Sequence, residues 1–255
     1  METYEFKEKV EKLAALFREE PQKPYTLSEL LQVADKHRAG LSQIVAAQGM
    51  AQEKLSYEIL LDKVMGSFRH NLGVCELGLT RGRSFLLGTV ASDLAQADRG
   101  GRALVEDELI NRAMIYTLAT EVGNHEVGLN PCAGTGDSCP YTGLIRALKE
   151  HPYPEERVAL ATALILKIGS IFRVGKQTTG CNMEGLGAGA AATAAVLTEL
   201  RGGTPAQTGR AIVLALSPTI AVPCTPRVMV PGLCATHITG AILLGNQGAN
   251  LALKT

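Results

Sequence analysis

The sequence predicts an all-α protein, a buried helical domain rich in small residues. Apolar residues recur at helical spacing along most of the chain, whereas sustained two-residue alternation and Asn-Gly hairpin signals are missing. Small residues fill the run from Gly185 to Leu200, which lets neighbouring helices approach closely. Proline and glycine punctuation falls between the helical runs, so we expect the cysteine sites to lie on loops between helices.

The first forty residues predict a pair of accessory helices. Phe6, Val10 and Phe17 share one face of the first helix, and Thr26 and Glu29 have the spacing of a capping box for the second. We therefore expect accessory helices at residues 1–40 and a main domain at residues 41–255.

The middle of the chain predicts long helices followed by a polar loop. A helical pattern runs from about Leu41 to Leu77 and carries Cys75 on its apolar side, where we expect a small buried hydrophobe. A further helix is predicted from Glu106 to Val122. The glycine-rich segment 123–143 follows, and its amides and hydroxyls suit an anionic ligand. It also holds Cys132 and Cys139, which are candidates for extra ligands or nucleophiles.

Composition excludes some classes of partner. The 255 residues contain 25 basic and 25 acidic side chains, which argues against binding to nucleic acid or to a membrane surface. No segment reads as a secretory leader, so we expect a cytoplasmic protein. Six cysteines in such a protein argue for metal binding, catalysis or burial rather than disulfides.

Three cysteines dominate the last third of the chain. Cys181 sits at a glycine turn before a helix, and Cys224 and Cys234 lie in a segment punctuated by prolines. Two helices joined by a G-G-T-P turn separate these sites, so the chain can return to where it began. Three converging thiolates suit an iron–sulfur cluster with one open iron, or a zinc ion. Three buried core thiols are the alternative.

Several motifs around these cysteines resemble the alpha chain of iron–sulfur-dependent L-serine dehydratases. The motifs are G-C-N-M-E at Cys181, then G-G-T-P-A-Q, then C-T-P at Cys224 and the second loop cysteine, Cys234. The family has G-C-Q-x-E, G-G-[ST]-P-x-Q, C-D-P and V-P-C in the same order. Upstream, G-T-G-D-S-C-P falls where the family has a P-T-x-G-x-C-G-type loop, and His70-Asn71-Leu72 matches the H-N-L of two-subunit members. The similarity spans roughly residues 41 to 253.

The resemblance implies that Cys181, Cys224 and Cys234 hold a [4Fe–4S] cluster whose fourth iron stays open for substrate. The residues that it implies for substrate binding are Asn124, Thr135, Asp137 and Ser138, with Asp137 where the family usually has glycine. The chain departs from the family in segment 173–179, where it reads R-V-G-K-Q-T-T. This departure bears on specificity for serine, and Lys176 within it is a candidate partner for the substrate carboxylate.

The implied reaction is β-elimination from a small amino acid such as L-serine, giving a 2-oxo acid and ammonia, as in amino-acid degradation that feeds gluconeogenesis. A Lewis-acidic iron would assist departure of hydroxide, and a base must remove the α-proton. The candidate bases or orienting groups are His70, His125, His237 and Glu184, of which His125 lies in the polar segment. The family also implies a homo- or hetero-oligomer, with a separate beta subunit in two-subunit members.

Other functions remain open at this point. A related cluster lyase, such as a cysteine desulfidase that releases sulfide, would use the same three cysteines. A non-catalytic scaffold that supports a partner chain, or a structural zinc protein, would keep the cysteines without the elimination chemistry.

Overall fold

The computed structural model describes residues 2–19, 23–84, 87–127, 138–173, 182–220 and 231–255. Within these ranges the chain is all-α, which confirms the predicted fold class, and one isolated bridge pairs Ser84 with Gly88. The α-helices are α1 (Glu2–Phe17), α2 (Leu27–Lys36), α3 (Leu41–Glu53), α4 (Tyr57–Gly66), α5 (Arg69–Thr80), α6 (Val90–Arg99), α7 (Glu108–Glu126), α8 (Ser138–Glu150), α9 (Glu155–Arg173), α10 (Gly189–Leu200), α11 (Pro205–Leu216) and α12 (Pro231–Lys254). A π-helix (Asn182–Ala188) precedes α10, and a 3₁₀ turn (Ser217–Thr219) follows α11.

Side-chain caps start several of these helices as the sequence predicts. The Thr26 hydroxyl accepts a hydrogen bond from the backbone N–H of Glu29, and the Glu29 carboxylate accepts one from the backbone N–H of Thr26. Thr204 and Gln207 form the same box at the start of α11, where Pro205 occupies the first helical position. Each box satisfies backbone donors that have no partner inside the helix.

The long helical pattern from Leu41 to Leu77 is three helices rather than one. Lys54 ends α3 in the left-handed conformation, with φ of 54°. Ser56 then caps α4 by accepting from the N–H of Ile59. The apolar periodicity continues across the two short connections, between α3 and α4 and between α4 and α5, because all three helices present their apolar sides to the interior. Periodicity alone therefore does not show where the chain turns.

Three predicted boundaries near the cysteines are wrong. Helix α7 continues to Glu126, and α8 already begins at Ser138, so both ends of the predicted loop 123–143 are helical. Gly123 does not break α7, because it lets the helix pack directly on α5. Helix α12 begins at Pro231, so Cys234 lies in the first turn of a helix and not on a loop.

Small residues form the contact between the last three helices, as the run from Gly185 to Leu200 predicts. A buried cluster on the π-helix, α10, α11 and α12 consists of Leu186, Ala190, Ala194, Ala211, Ala215, Ala241 and Ala252. A Cβ at Gly248 of α12 would lie 2.7 Å from the carbonyl oxygen of Ala211, so the two backbones approach too closely for any side chain there.

The N-terminal helices pack on the main bundle. Helix α1 contacts α3 and α4, and α2 contacts α3 and α11. Val10, Phe17 and Leu30 belong to the same buried cluster as Ile44 and Leu164. The division at residue 40 stays a prediction.

Among the described helices none is both long and apolar enough to cross a membrane.

Candidate functional site

Helices α7 and α8 are antiparallel neighbours, so the end of α7 lies beside the start of α8. The side-chain amide Nδ2 of Asn124 donates to Sγ of Cys139 at 3.5 Å, and both side chains are buried. Further along the pair, a Cβ at Gly143 would lie 2.2 Å from Oγ1 of Thr117. The close packing fixes Asn124, a predicted substrate-binding residue, against the first turn of α8.

Helices α10 and α12 run parallel, and the start of α10 lies beside the middle of α12. A Cβ at Gly240 of α12 would lie 3.6 Å from Leu186 in the π-helix, and one at Gly189 would lie 3.0 Å from Cβ of Ala241. The Gly189 position also contacts Pro140, 2.8 Å from its Cγ, in the first turn of α8. The starts of α8 and α10 therefore meet at Gly189, against the middle of α12.

The first turn of α12 also packs on α7. Ala235, the residue after Cys234, shares a buried cluster with Leu118 and Val122 of α7 and with Cys75 of α5. Leu87, from the connection between α5 and α6, packs against the same cluster. The backbone of Cys234 is thus held close to the last turns of α7.

The helix ends that flank the three predicted cysteine sites belong to one end of the bundle. The π-helix begins one residue after Cys181, α12 carries Cys234 in its first turn, and the 3₁₀ turn before segment 221–230 contacts the π-helix. Gly169, near the end of α9, lies against Tyr141 of α8. The end of α7 and the start of α8 complete this group of helix ends, which we name the convergent end.

Several predicted site residues lie outside the described residues: Cys132, Thr135, Asp137, Lys176, Cys181 and Cys224. For Glu184 and Cys234 the backbone is described, in the π-helix and in the first turn of α12, and the side chain is not. Among the described side chains no group of three or more His, Cys, Asp and Glu residues could hold a metal ion. The placement of these residues in a site remains a prediction.

His125 lies in the last turn of α7 and contacts a buried serine. Its Nδ1 is 2.7 Å from Oγ of Ser84, which is 2% exposed. The next residue, Glu126, accepts a hydrogen bond at 2.9 Å from the backbone N–H of Arg83. Two successive residues of α7, His125 and Glu126, are therefore hydrogen-bonded to the connection between α5 and α6.

His70 lies at the start of α5 and is exposed. A Cβ at Gly78 would lie 1.8 Å from the carbonyl oxygen of Ala119, and one at Gly123 would lie 2.0 Å from that of Val74, so α5 and α7 are antiparallel. Since Gly78 pairs with Ala119 and Val74 with Gly123, the start of α5, which carries His70, lies toward the end of α7, near Val127 at the convergent end. His237 is half-buried on α12, one turn after Cys234.

The start of α10 departs from regular helical geometry. The π-helix from Asn182 to Ala188 carries Glu184 and immediately follows Cys181. Short π segments occur mainly at functional sites, since the wider turn displaces side chains from their α-helical positions. The π-helix contacts α8 and α12, and Gly189, which follows it, allows the close approach to Pro140 and Ala241.

Glu121 and Ser84 are not among the site residues that the sequence singles out. Glu121 is 1% exposed and lies one turn before His125 on α7. A buried carboxylate one turn from His125 is a candidate acid–base group, because burial perturbs the pKa of a carboxyl group. The sequence feature that could have pointed to Glu121 is that it is the one acidic residue in the run A-T-E-V-G-N-H, residues 119–125. Ser84 has no such signal, because its partner is 41 residues away.

The predicted cysteines have the chemistry that an iron–sulfur cluster requires. Thiolates are the usual ligands of such clusters. The helix that carries Cys234 and the π-helix that follows Cys181 pack together through Gly240 and Leu186. A cluster site shared by these cysteines remains a prediction.

No model of a protein family matches the chain. A comparison with curated proteins found the probable L-serine dehydratase alpha chain of Bacillus subtilis (strain 168). This chain is 25% identical to it over 240 residues, which cover 89% of this chain and 76% of that protein. The similarity gives weak support to the family resemblance.

Proposed function

We propose that this chain is a lyase that uses a [4Fe–4S] cluster to eliminate water from a small amino acid such as L-serine, giving a 2-oxo acid and ammonia. The observation that supports the proposal is the convergent end, where the π-helix after Cys181 contacts both α12 and the 3₁₀ turn before segment 221–230, and α12 packs on α7. The similarity to the Bacillus subtilis alpha chain supports the same reaction class.

In the proposed site Cys181, Cys224 and Cys234 hold the cluster. Its open iron supplies Lewis acidity toward the β-hydroxyl when the cluster is bound. The chain itself binds the amino acid, through Asn124 and Ser138 at the α7–α8 junction and through Thr135, Asp137 and Lys176. Asn124 retains a carbonyl oxygen to accept from an ammonium group while its amide donates to Cys139.

Hydrogen bonding to the substrate and proton transfer are assigned in this proposal to residues at the rim of the convergent end. His125 is fixed by Ser84, and His70 lies beside the end of α7, so both can meet an amino acid bound there. Glu184 in the π-helix and the buried Glu121 are the candidate carboxylate bases. A base in this position must have its unprotonated atom within hydrogen-bond reach of the α-carbon proton.

The proposal includes a second chain. The Bacillus subtilis relative is named as an alpha chain, which supports a beta partner for this protein too. We therefore expect either a heteromer or a homo-oligomer to be the active form, with the expected location in the cytoplasm.

The test is turnover by protein that has been purified and reconstituted with iron and sulfide without oxygen. L-serine, L-threonine and L-cysteine are supplied in parallel, and 2-oxo acid, ammonia and sulfide are measured. Pyruvate and ammonia from L-serine, abolished in Cys224→Ala, would support the proposal. Sulfide release from L-cysteine without turnover of L-serine would contradict it and favour a desulfidase.

A further inference from the structure

Ser84 is buried between α7 and the connection that leads into α6. Its backbone exchanges two hydrogen bonds of 2.9 Å with Gly88, which adopts a φ of 56°. Its hydroxyl oxygen accepts a hydrogen bond at 3.1 Å from the backbone N–H of Leu87. Leu87 in turn packs on the cluster that contains Ala235 of α12. The serine is therefore fixed at the convergent end by backbone contacts and packing.

The hydroxyl of Ser84 has one proton to donate, and its bonds limit where that proton goes. The contact with Leu87 uses the oxygen as an acceptor, and the remaining contact is with Nδ1 of His125 at 2.7 Å. If Nδ1 carried the ring proton, the oxygen would accept twice and its own proton would have no acceptor among the contacts of this 2%-exposed residue. The bonds are satisfied when Nδ1 accepts from Ser84.

We infer that Ser84 is a positioning residue that holds neutral His125 in the tautomer with its proton on Nε2. In this tautomer Nε2 carries the ring proton, so the neutral imidazole can donate a hydrogen bond through Nε2 but cannot act there as a base. Neutral imidazole serves as such a donor toward oxygen in other enzymes. The inference rests on the proposed function for the identity of the ligand, an oxygen of the amino-acid substrate, and it assigns removal of the α-proton to another group.

The hydrogen bond from the backbone N–H of Arg83 to the carboxylate of Glu126 supports this role. It joins the residue before Ser84 to the residue after His125, so two adjacent hydrogen bonds connect the two segments that carry the hydroxyl and the imidazole. Partners of this kind set the tautomer and direction of a functional imidazole, and their loss lowers activity by about 10- to 100-fold in metal sites.

The test is ¹⁵N NMR of the histidine ring nitrogens in the full chain. His125 is assigned among the five histidines by comparison with His125→Gln. We expect the Nε2–H pattern in the wild type and a loss of that preference in Ser84→Ala. Ser92→Ala is the matched control, because Ser92 bonds only the carbonyl of Thr89 within its own helix start, and it should leave the pattern unchanged. An Nδ1–H pattern in the wild type, or no change in Ser84→Ala, would overturn the inference.

Kinetics separate this inference from the proposed function. In an enzyme that turns over L-serine, Ser84→Ala should lower kcat by about tenfold and leave KM within about twofold. A wild type with the Nε2–H tautomer but no turnover overturns the proposed function and leaves the pairing of Ser84 with His125 intact. Full kcat in Ser84→Ala would overturn the positioning role.

Discussion

Asn124 on α7 donates a hydrogen bond from Nδ2 to Sγ of Cys139 on α8 at 3.5 Å, so a predicted substrate residue and a cysteine of unassigned role form one buried contact. This contact fixes the end of α7 against the start of α8. A substitution at either residue should therefore change the effect that a substitution at the other has on the free energy of unfolding.

We expect Asn124→Ala and Cys139→Ala to be non-additive in the free energy of unfolding. A neutral hydrogen bond contributes about 1 kcal/mol, and residues in contact show coupling of about 0.5 kcal/mol or more. Urea unfolding of both single variants and the double variant measures this coupling. Cys75→Ala is the matched control, since its buried thiol donates to the carbonyl of Tyr116 and does not contact Asn124. Additive effects for Asn124 and Cys139 would show that the contact contributes nothing.

Gly189→Ala should destabilise the protein by about 1–3 kcal/mol, because the added Cβ would lie 2.8 Å from Pro140 and 3.0 Å from Ala241. It should also lower turnover, since these contacts join the starts of α8 and α10 to α12. Gly73→Ala is the control: it lies inside α5, is exposed and has nothing within 4 Å of its added Cβ. There we expect a gain of about 0.5–1 kcal/mol and unchanged turnover. Equal effects at the two glycines would refute the close packing at Gly189.

Glu199 makes the stability depend on pH. Its carboxylate accepts from the backbone N–H of Ser42 at 3.1 Å and from the Ser42 hydroxyl, but burial raises its pKa above the ordinary value. Because the folded chain holds this proton more tightly than the unfolded chain, the stabilisation is complete below a pH of about 4.5 and is lost as pH rises through the folded pKa.

Glu199→Gln should remove that loss. We expect the wild type to lose stability relative to Glu199→Gln as pH rises from about 4.5 to 7.5, as measured by urea unfolding. Ser42→Ala should steepen the loss, since the Ser42 hydroxyl lowers the pKa of Glu199. A constant difference between wild type and Glu199→Gln over this range would contradict the account.

Cys75 should resist alkylation in the folded protein. It is fully buried, and burial raises the pKa of its thiol to about 11, so little thiolate is present at pH 8. Mass spectrometry after iodoacetamide treatment should show Cys75 unmodified in buffer and modified in urea. Rapid modification in buffer, at the same rate as in urea, would show that the thiol is accessible.

Local patterns predicted the helices and the caps at Thr26 and Thr204, because capping depends on residues three positions apart. They also predicted the burial of Cys75. Local patterns did not predict the break at Lys54 or the continuation of α7 through Gly123. From the sequence alone, Gly123 predicts a loop. In the structure it lies against the backbone of Val74 on α5, so its role is to allow close helix packing.

The site illustrates the same limit at longer range. The sequence singles out His125 and Asn124 by their place in a polar segment. Their partners Ser84 and Cys139 follow only from the fold, as does the contact of Glu199 with Ser42 across 157 residues. The placement of Cys181 and Cys224 in one site remains a prediction.

The most direct measurement is the iron and acid-labile sulfide content of protein purified without oxygen, together with its visible spectrum. The account predicts about four iron and four sulfide per chain, with the content and the visible absorbance lost in Cys181→Ala, Cys224→Ala and Cys234→Ala but kept in Cys75→Ala. A colourless wild type that takes up no iron and sulfide on reconstitution would contradict the account.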